Sequence, residues 1–308
     1  MNMRVLLATD LSASATIATR LVAAQRWPEA TTIRVFGVRE PSHGTAHDDG
    51  DGGACAFTTG VHASAETLVE RGRIIEAATD LGHPADVIVA EATRFRADLV
   101  VLGSRGRGLI RSAVLGSVSA RVADEAPCPV LIARHEEISG VVFGDDGATY
   151  TAEAARVLTW PAFAALPITV VSVAEIYLPF QAVAETRARF EDSVRTYLQE
   201  SFDREERCQR IASEQAAALI RLGIKAKGEM RRGSPARALI AAAAARGADL
   251  ILVGSRGNRG VQRMLVGSTA RELLYHAPCS VLIAPGALAA QPAEGALALG
   301  WQASALGA

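Results

Sequence analysis

The chain has 308 residues, close to two domains of ordinary size, and 49% of them are apolar, enough for each half to bury a core. A formal net charge of −1 argues against a broad nucleic-acid surface or a polybasic membrane patch. The four cysteines, Cys55, Cys128, Cys208 and Cys279, include no Cys-x-x-Cys pair, which speaks against a zinc ribbon or a thioredoxin-type site; Cys128 and Cys279, at equivalent apolar strand starts, read as buried small hydrophobes.

In chain order, the first apolar run, Val5–Ala8, is too short for a signal peptide and leads into Thr9-Asp10. No stretch of about 18 uncharged apolar residues follows, so no membrane span is expected and a cytoplasmic location is the default. A second strand is predicted at Ile33–Val38, then a mobile Gly/Asp/His-rich loop over 42–60, then a third strand near Arg73–Ala78. The loop holds His43, His47, Asp48, Asp49, Asp51 and Cys55, which lack the fixed spacing of a metal site and read as a solvated segment. Pro84 opens a helix, with His83 and Arg96 as weak caps at its flanks. Leu99–Leu102 is a fourth strand, Ser117 opens another helix, Pro127 ends it, and Val130–Ala133 is a fifth strand.

The pattern then starts again. From 82 to 133, 21 of 52 residues are identical to those 151 positions later, without a gap, which chance does not explain. Val5-Leu6-Leu7-Ala8-Thr9-Asp10 matches Val141-Val142-Phe143-Gly144-Asp145-Asp146 at an offset of 136, so the second copy carries 15 more residues, assigned to a long charged helix over 181–222. Its strands are Val141–Phe143, Ile168–Val173, Lys225–Met230, Leu250–Val253 and Val281–Ala284. Ser234 is placed to cap a helix that starts on Pro235 and closes on Gly247. The copies are taken as 1–136 and 137–286, with 287–308 a disordered or loosely docked tail. Short β-branched and leucine-rich strands alternating with helices imply a doubly wound α/β sheet in each copy.

After the fourth strand of each copy comes Gly-x2-Gly-x9-Gly-Ser: Gly103, Gly106, Gly116 and Ser117, then Gly254, Gly257, Gly267 and Ser268. Glycines let backbone N–H groups approach an anion, and a helix beginning at Gly-Ser turns its unpaired N–H groups and positive dipole end toward the same place. Val118 and Thr269 stand next in that first turn. Arg105 and Arg256 follow the first glycine, where a guanidinium can pair with phosphate or point to water. A P-loop is missing, and so is a dinucleotide fingerprint after the first strand. Asp10 has a plainer alternative use as a helix cap.

These motifs, with Asp-Leu-Val-Val before Gly103-Ser104-Arg105-Gly106 and Ala126-Pro127-Cys128-Pro129-Val130 after them, resemble the universal stress protein family over both copies, about 280 residues. The resemblance implies five parallel strands per domain in an adenine nucleotide alpha hydrolase-like fold, with ATP, ADP or AMP at the carboxyl ends of the strands. It puts Asp10 and Asp146 by the ribose, Val38 and Val173 near the base, and the motif glycines and serines on the phosphates, with Mg2+ arriving on those phosphates. It also implies domain pairing through the last strands within the chain, and leaves open a homodimer and a protein partner. The first copy departs from the pattern with Leu11 for the usual Gly, the second with Ala148 for Ser and Gly144-Asp145 ahead of Asp146. No residue pair stands out as base and nucleophile, so no catalytic residue is assigned and at most slow ATP hydrolysis is expected. The competing readings are a nucleotide-free scaffold on the same fold and an enzyme of nucleotidyl-transfer or dinucleotide type.

Overall fold

The computed structural model describes residues 2–41, 51–69, 73–106, 115–148, 151, 154–175, 187–255 and 266–285. The tail at 287–308 lies outside them, as do residues 42–50 of the Gly/Asp/His-rich segment.

The first half runs β1 (Arg4–Thr9), α1 (Ala13–Ala24), β2 (Thr32–Arg39), α2 (Asp51–Glu66), β3 (Ile74–Leu81), α3 (Pro84–Phe95), β4 (Leu99–Gly103), α4 (Ser117–Glu125) and β5 (Val130–Ala133). The second runs β6 (Val141–Gly144), a 3-10 turn (Arg156–Thr159), α5 (Pro161–Ala164), β7 (Ile168–Ala174), α6 (Arg187–Arg221), β8 (Ala226–Arg232), α7 (Pro235–Arg246), β9 (Leu250–Gly254), α8 (Ser268–His276) and β10 (Ser280–Ala284). All ten strands form one sheet in the order β3-β2-β1-β4-β5-β10-β9-β6-β7-β8. Each half is parallel within itself, and the halves meet where β5 and β10 pair antiparallel, Leu131 opposite Leu282. Those two leucines are 151 positions apart, so the pseudo-twofold axis of the duplication passes through their pair.

Both faces are covered, and alternation along the strands divides the core in two. Val5 and Leu7 point into one layer with α1, α2, α5 and α6; Leu6 and Ala8 point into the other with α3, α4, α7 and α8. A fully buried Leu such as Leu6 or Leu7 contributes about 2 kcal/mol by its area. Registers repeat between halves: Val5 pairs with Ile33 and Leu99, Val141 with Ile168 and Leu250. The less distinct third strands are present and longer than predicted, because pairing with β2 carries β3 to Leu81 and pairing with β7 carries β8 to Arg232.

The expected loop over 42–60 is corrected. From Asp51 the chain is helical, since Val61, Ala65 and Leu68 fall at helical spacing and are buried against β2 and β3. The Gly-rich start hides that stripe in the sequence. Ser234 occupies the N-cap position of α7 but makes no side-chain capping bond, so Pro235 alone marks the start; Gly247 closes the helix at φ 61°. In the first half Arg96 takes that left-handed position at φ 51°.

Candidate functional site

In each half the chain leaves the central pair of strands in opposite directions: β1 feeds α1 on one face and β4 leads to α4 on the other. The carboxyl ends of these two strands therefore border a crevice, the place where open α/β sheets bind ligands.

Two short side-chain-closed turns shape the β1 side. The Thr9 hydroxyl accepts the Leu11 N–H at 3.1 Å, and Asp10 Oδ1 accepts the Ser12 N–H at 3.0 Å. Asp10 is thus not the cap of α1; Ser12 is, its Oγ accepting the Ala15 N–H at 3.2 Å. Serines then join this turn to the β4 loop. Ser12 Oγ donates to the Arg105 carbonyl at 3.4 Å, Ser14 Oγ accepts the Arg105 N–H at 3.0 Å, and the Ser14 and Ser104 hydroxyls meet at 3.5 Å.

The motif glycines have different reasons to be glycine. A Cβ on Gly103 would lie 2.5 Å from the Ser14 carbonyl carbon, so the fold itself excludes a side chain there. A Cβ on Gly106 would lie 2.8 Å from Asp10 Oδ2, which brings this glycine and the strand-one acid together. Gly116 has an ordinary φ of −73° and a Cβ would meet nothing closer than 3.5 Å, so neither backbone nor packing requires glycine. Its N–H donates to the Ser104 carbonyl at 2.8 Å, closing the motif loop, and α4 starts beyond it with no capping side chain. The first N–H groups of α4, at Ser117 and Val118, are left without an intrahelical partner. Ser119 Oγ braces the turn from below by donating to the Gly103 carbonyl at 2.8 Å. Val38 and Val118 are half-buried on the same layer of the core.

The second half repeats the turns with different chemistry. Asp145 takes the place of Thr9 and accepts the Gly147 N–H at 2.8 Å; Asp146, like Asp10, accepts the N–H two residues on, Ala148, at 3.0 Å, and also the Thr151 hydroxyl at 2.6 Å. Gly144-Asp145 therefore keeps the register of the first half. Asp145 is buried, and that burial pushes its pKa up from 3.8 to about 6, against the pull of the Gly147 N–H and with help from the Asp146 charge. Gly254 ends β9, the Gly267 N–H donates to the Ser255 carbonyl at 2.7 Å, and α8 starts at Ser268 and Thr269 on Gly267, again without a capping side chain. Val173 is half-buried in the position of Val38. Arg256 and Gly257 lie outside the described residues. Sequence reasoning missed Ser14, Ser104 and Asp145; the offset-136 match that sets Asp145 against Thr9 was the available signal for the last.

Where Leu11 has φ 62°, Gly147 has φ 75°. Leu11 lies on Gly60 of α2, whose Cβ would come within 2.5 Å of Leu11 Cδ1; in the second half Ile211 of α6 lies on Gly147, whose Cβ would come within 2.7 Å of Ile211 Cδ1. Gly60 and Ile211 are 151 positions apart. The large and small residues have exchanged sides of one contact.

A doubly wound half-sheet with a helix that starts on glycine, without a capping side chain, at its switch point, present twice about a β5–β10 seam, defines the chain as a tandem α/β protein. The model of the universal stress protein family matches residues 1–134 and again residues 140–285, so the chain belongs to that family. It is 51% identical over 53 residues to a universal stress protein of Thermus aquaticus, covering 17% of this chain and 39% of that protein. It is 29% identical over 106 residues to one of Mycobacterium tuberculosis, covering 34% of this chain and 38% of that protein. The matched stretches thus span about two fifths of these relatives' own length. A universal stress protein from Archaeoglobus fulgidus shares the fold at a TM-score of 0.62 and 18% identity, over 92% of this chain and 98% of that one. Among the described residues no helix is long and apolar enough to cross a membrane, and no group of three or more His, Cys, Asp or Glu side chains is placed to hold a metal.

Proposed function

We propose that the chain is a stress-response protein that binds an adenine nucleotide, ATP, in each half and acts through the conformational consequences of binding. The observation that carries this reading is Gly116. Packing and φ would both admit a capping Ser or Asp at Gly116, which would satisfy an N–H of α4 and stabilise it by roughly a few tenths of a kcal/mol, yet glycine stands at this position and at Gly267. What glycine uniquely supplies is close approach of an anionic group to an uncapped helix start.

In this reading Gly103–Gly106 and Gly116–Val118 hold the phosphates with Arg105 beside them, Asp10 receives the ribose and Val38 packs near the base. Gly254, Arg256, Gly257, Gly267, Ser268, Thr269, Asp146 and Val173 do the same in the second half. Mg2+ travels with the phosphates, completing its shell with water, which suits a site offering one carboxylate rather than a cage. Among the described residues no pair stands out as general base and nucleophile, which supports hydrolysis that is at most slow. The boundary between the halves is placed at 136/137. Because β5 and β10 already pair within the chain, a homodimer would use another surface.

The test is release of nucleotide from the purified protein by denaturation, with chromatography to identify and count it. About two adenine nucleotides per chain support the proposal, and Gly106→Trp, which drives a side chain into Asp10, reduces them to one. A preparation that carries none, and takes up none with ATP and Mg2+, refutes it and favours the nucleotide-free scaffold.

A further inference from the structure

The two copies are not independent at their seam. Asp124, near the end of α4, reaches across to the approach of α8: its Oδ1 accepts the Val266 N–H at 3.3 Å and lies 3.4 Å from Arg271 Nη2. Val266 is buried and immediately precedes Gly267, on which α8 starts. The other end of α8 is also held from the first copy. Arg134 donates to the Leu274 carbonyl in the last turn of α8 and, at 3.3 Å, to the Cys279 carbonyl, while the Ser280 hydroxyl accepts the Arg134 N–H at 3.0 Å.

Among the described residues the arrangement is one-sided. The residue 151 positions after Asp124 is Tyr275, and the residue 151 after Arg134 is Pro285. Neither has the carboxylate or the guanidinium needed to do for α4 what the first copy does for α8. Duplication made the two halves alike, and these two side chains tie both ends of α8, but not of α4, to the other copy among the described residues.

We propose that Asp124 of the first copy is a positioning residue for the second copy's nucleotide site, holding Val266 so that the Gly267–Thr269 N–H groups are set before a phosphate arrives. This rests on the nucleotide-binding reading above. Without the carboxylate, ligand binding must also order the approach to α8, and the affinity of the second site falls. Loss of one hydrogen bond to a charged acceptor corresponds to about tenfold. The first site should not weaken, because removing an acid near the C-terminal end of α4 is, if anything, favourable to that helix.

The experiment uses the full chain, titrated calorimetrically with ATP and Mg2+ in two backgrounds: Gly106→Trp, which leaves the second site, and Gly257→Trp, which leaves the first. Asp124→Ala is expected to weaken the second site about tenfold and leave the first within about twofold. Asp124→Asn, which keeps an acceptor for the Val266 N–H, recovers part of the loss. Hydrogen exchange without nucleotide supplies an independent readout: the Val266 amide exchanges faster in Asp124→Ala, and the Leu115 amide does not. An equal shift at both sites, no shift at either, or an unchanged Val266 amide overturns the proposal. A wild-type chain that takes up no ATP at either site overturns the functional reading and this proposal with it, and is told apart from the other failures by the wild-type titration alone.

Discussion

The exchange of large and small residues between Leu11–Gly60 and Gly147–Ile211 supports a quantitative test of how the copies were repacked. Leu11 holds a left-handed backbone at φ 62°, which costs a residue with a Cβ about 1–2 kcal/mol. Leu11→Gly relieves that strain but removes a half-buried side chain worth about 1.5 kcal/mol and adds about 0.7 kcal/mol of backbone entropy cost, for a net loss near 1 kcal/mol. Gly60→Ile improves α2 by about 0.5 kcal/mol, yet its Cβ lands 2.5 Å from Leu11 Cδ1. Overpacking of that kind costs about 1–3 kcal/mol, so this variant also loses about 1 kcal/mol. The double variant rebuilds the contact of the second half: strain is relieved, the helix is improved, and the new side chain fills the space vacated. It should match or exceed the wild type, a coupling of at least about 2 kcal/mol. Urea unfolding of the four proteins, followed by far-ultraviolet circular dichroism, measures this. Additivity within about 0.5 kcal/mol would refute the claim that these pairs are one contact seen from two sides.

Two further outcomes follow from the described geometry. The folded chain holds a proton on Asp145 up to about pH 6, whereas the unfolded chain releases it near 3.8. The stability this proton contributes is therefore complete below 3.8 and lost as pH rises through 6, a difference of about 3 kcal/mol at most. Asp145→Thr, copying Thr9, should flatten that slope and raise the unfolding midpoint at pH 7.5; a pH–stability curve unchanged between 4 and 6.5 would sink the argument. Arg96 closes α3 at φ 51° where Gly247 closes α7 at φ 61°, so Arg96→Gly is expected to stabilise by about 1 kcal/mol, measured as a rise in thermal midpoint.

The features legible in the sequence were those fixed by local chemistry or by repetition. Buried parallel strands advertise themselves as unbroken β-branched runs, and the duplication fixed which loops correspond. The Gly-Ser motif announced two uncapped helix starts because glycine at an N-cap is visible without a structure. What escaped was decided by tertiary packing. Helix α2 is held by burial of Val61, Ala65 and Leu68 against the sheet, despite a glycine-rich beginning that reads as loop. Glu91 looks like an exposed helix charge but is buried, because Arg34 from β2 and Arg94 from its own helix both pair with it. The seryl links between β1 and β4 join residues about 90 positions apart, and serine is too common for any sequence pattern to have singled them out.

The two crevices keep one backbone plan and hold it by different means. In the first, the Thr9 hydroxyl closes the strand-one turn and the Ser12, Ser14 and Ser104 hydroxyls tie that region to the motif loop, so the loop is braced from within its own copy. In the second, Ala148 has no hydroxyl where Ser12 stands, and Asp145 spends a buried carboxylate on its own turn. The approach to α8 is held from the other copy by Asp124, and the last turn of the same helix by Arg134. Bracing from within makes a site's preorganisation a property of its own fold; bracing across the seam makes it a property of how the copies are joined. A free energy of ordering that depends on the seam is what allows a change in one half to be felt in the other, and coupling of this kind needs no contact between the two ligands. The antiparallel β5–β10 pairing, centred on Leu131 and Leu282, is the structural element through which such a dependence would be carried.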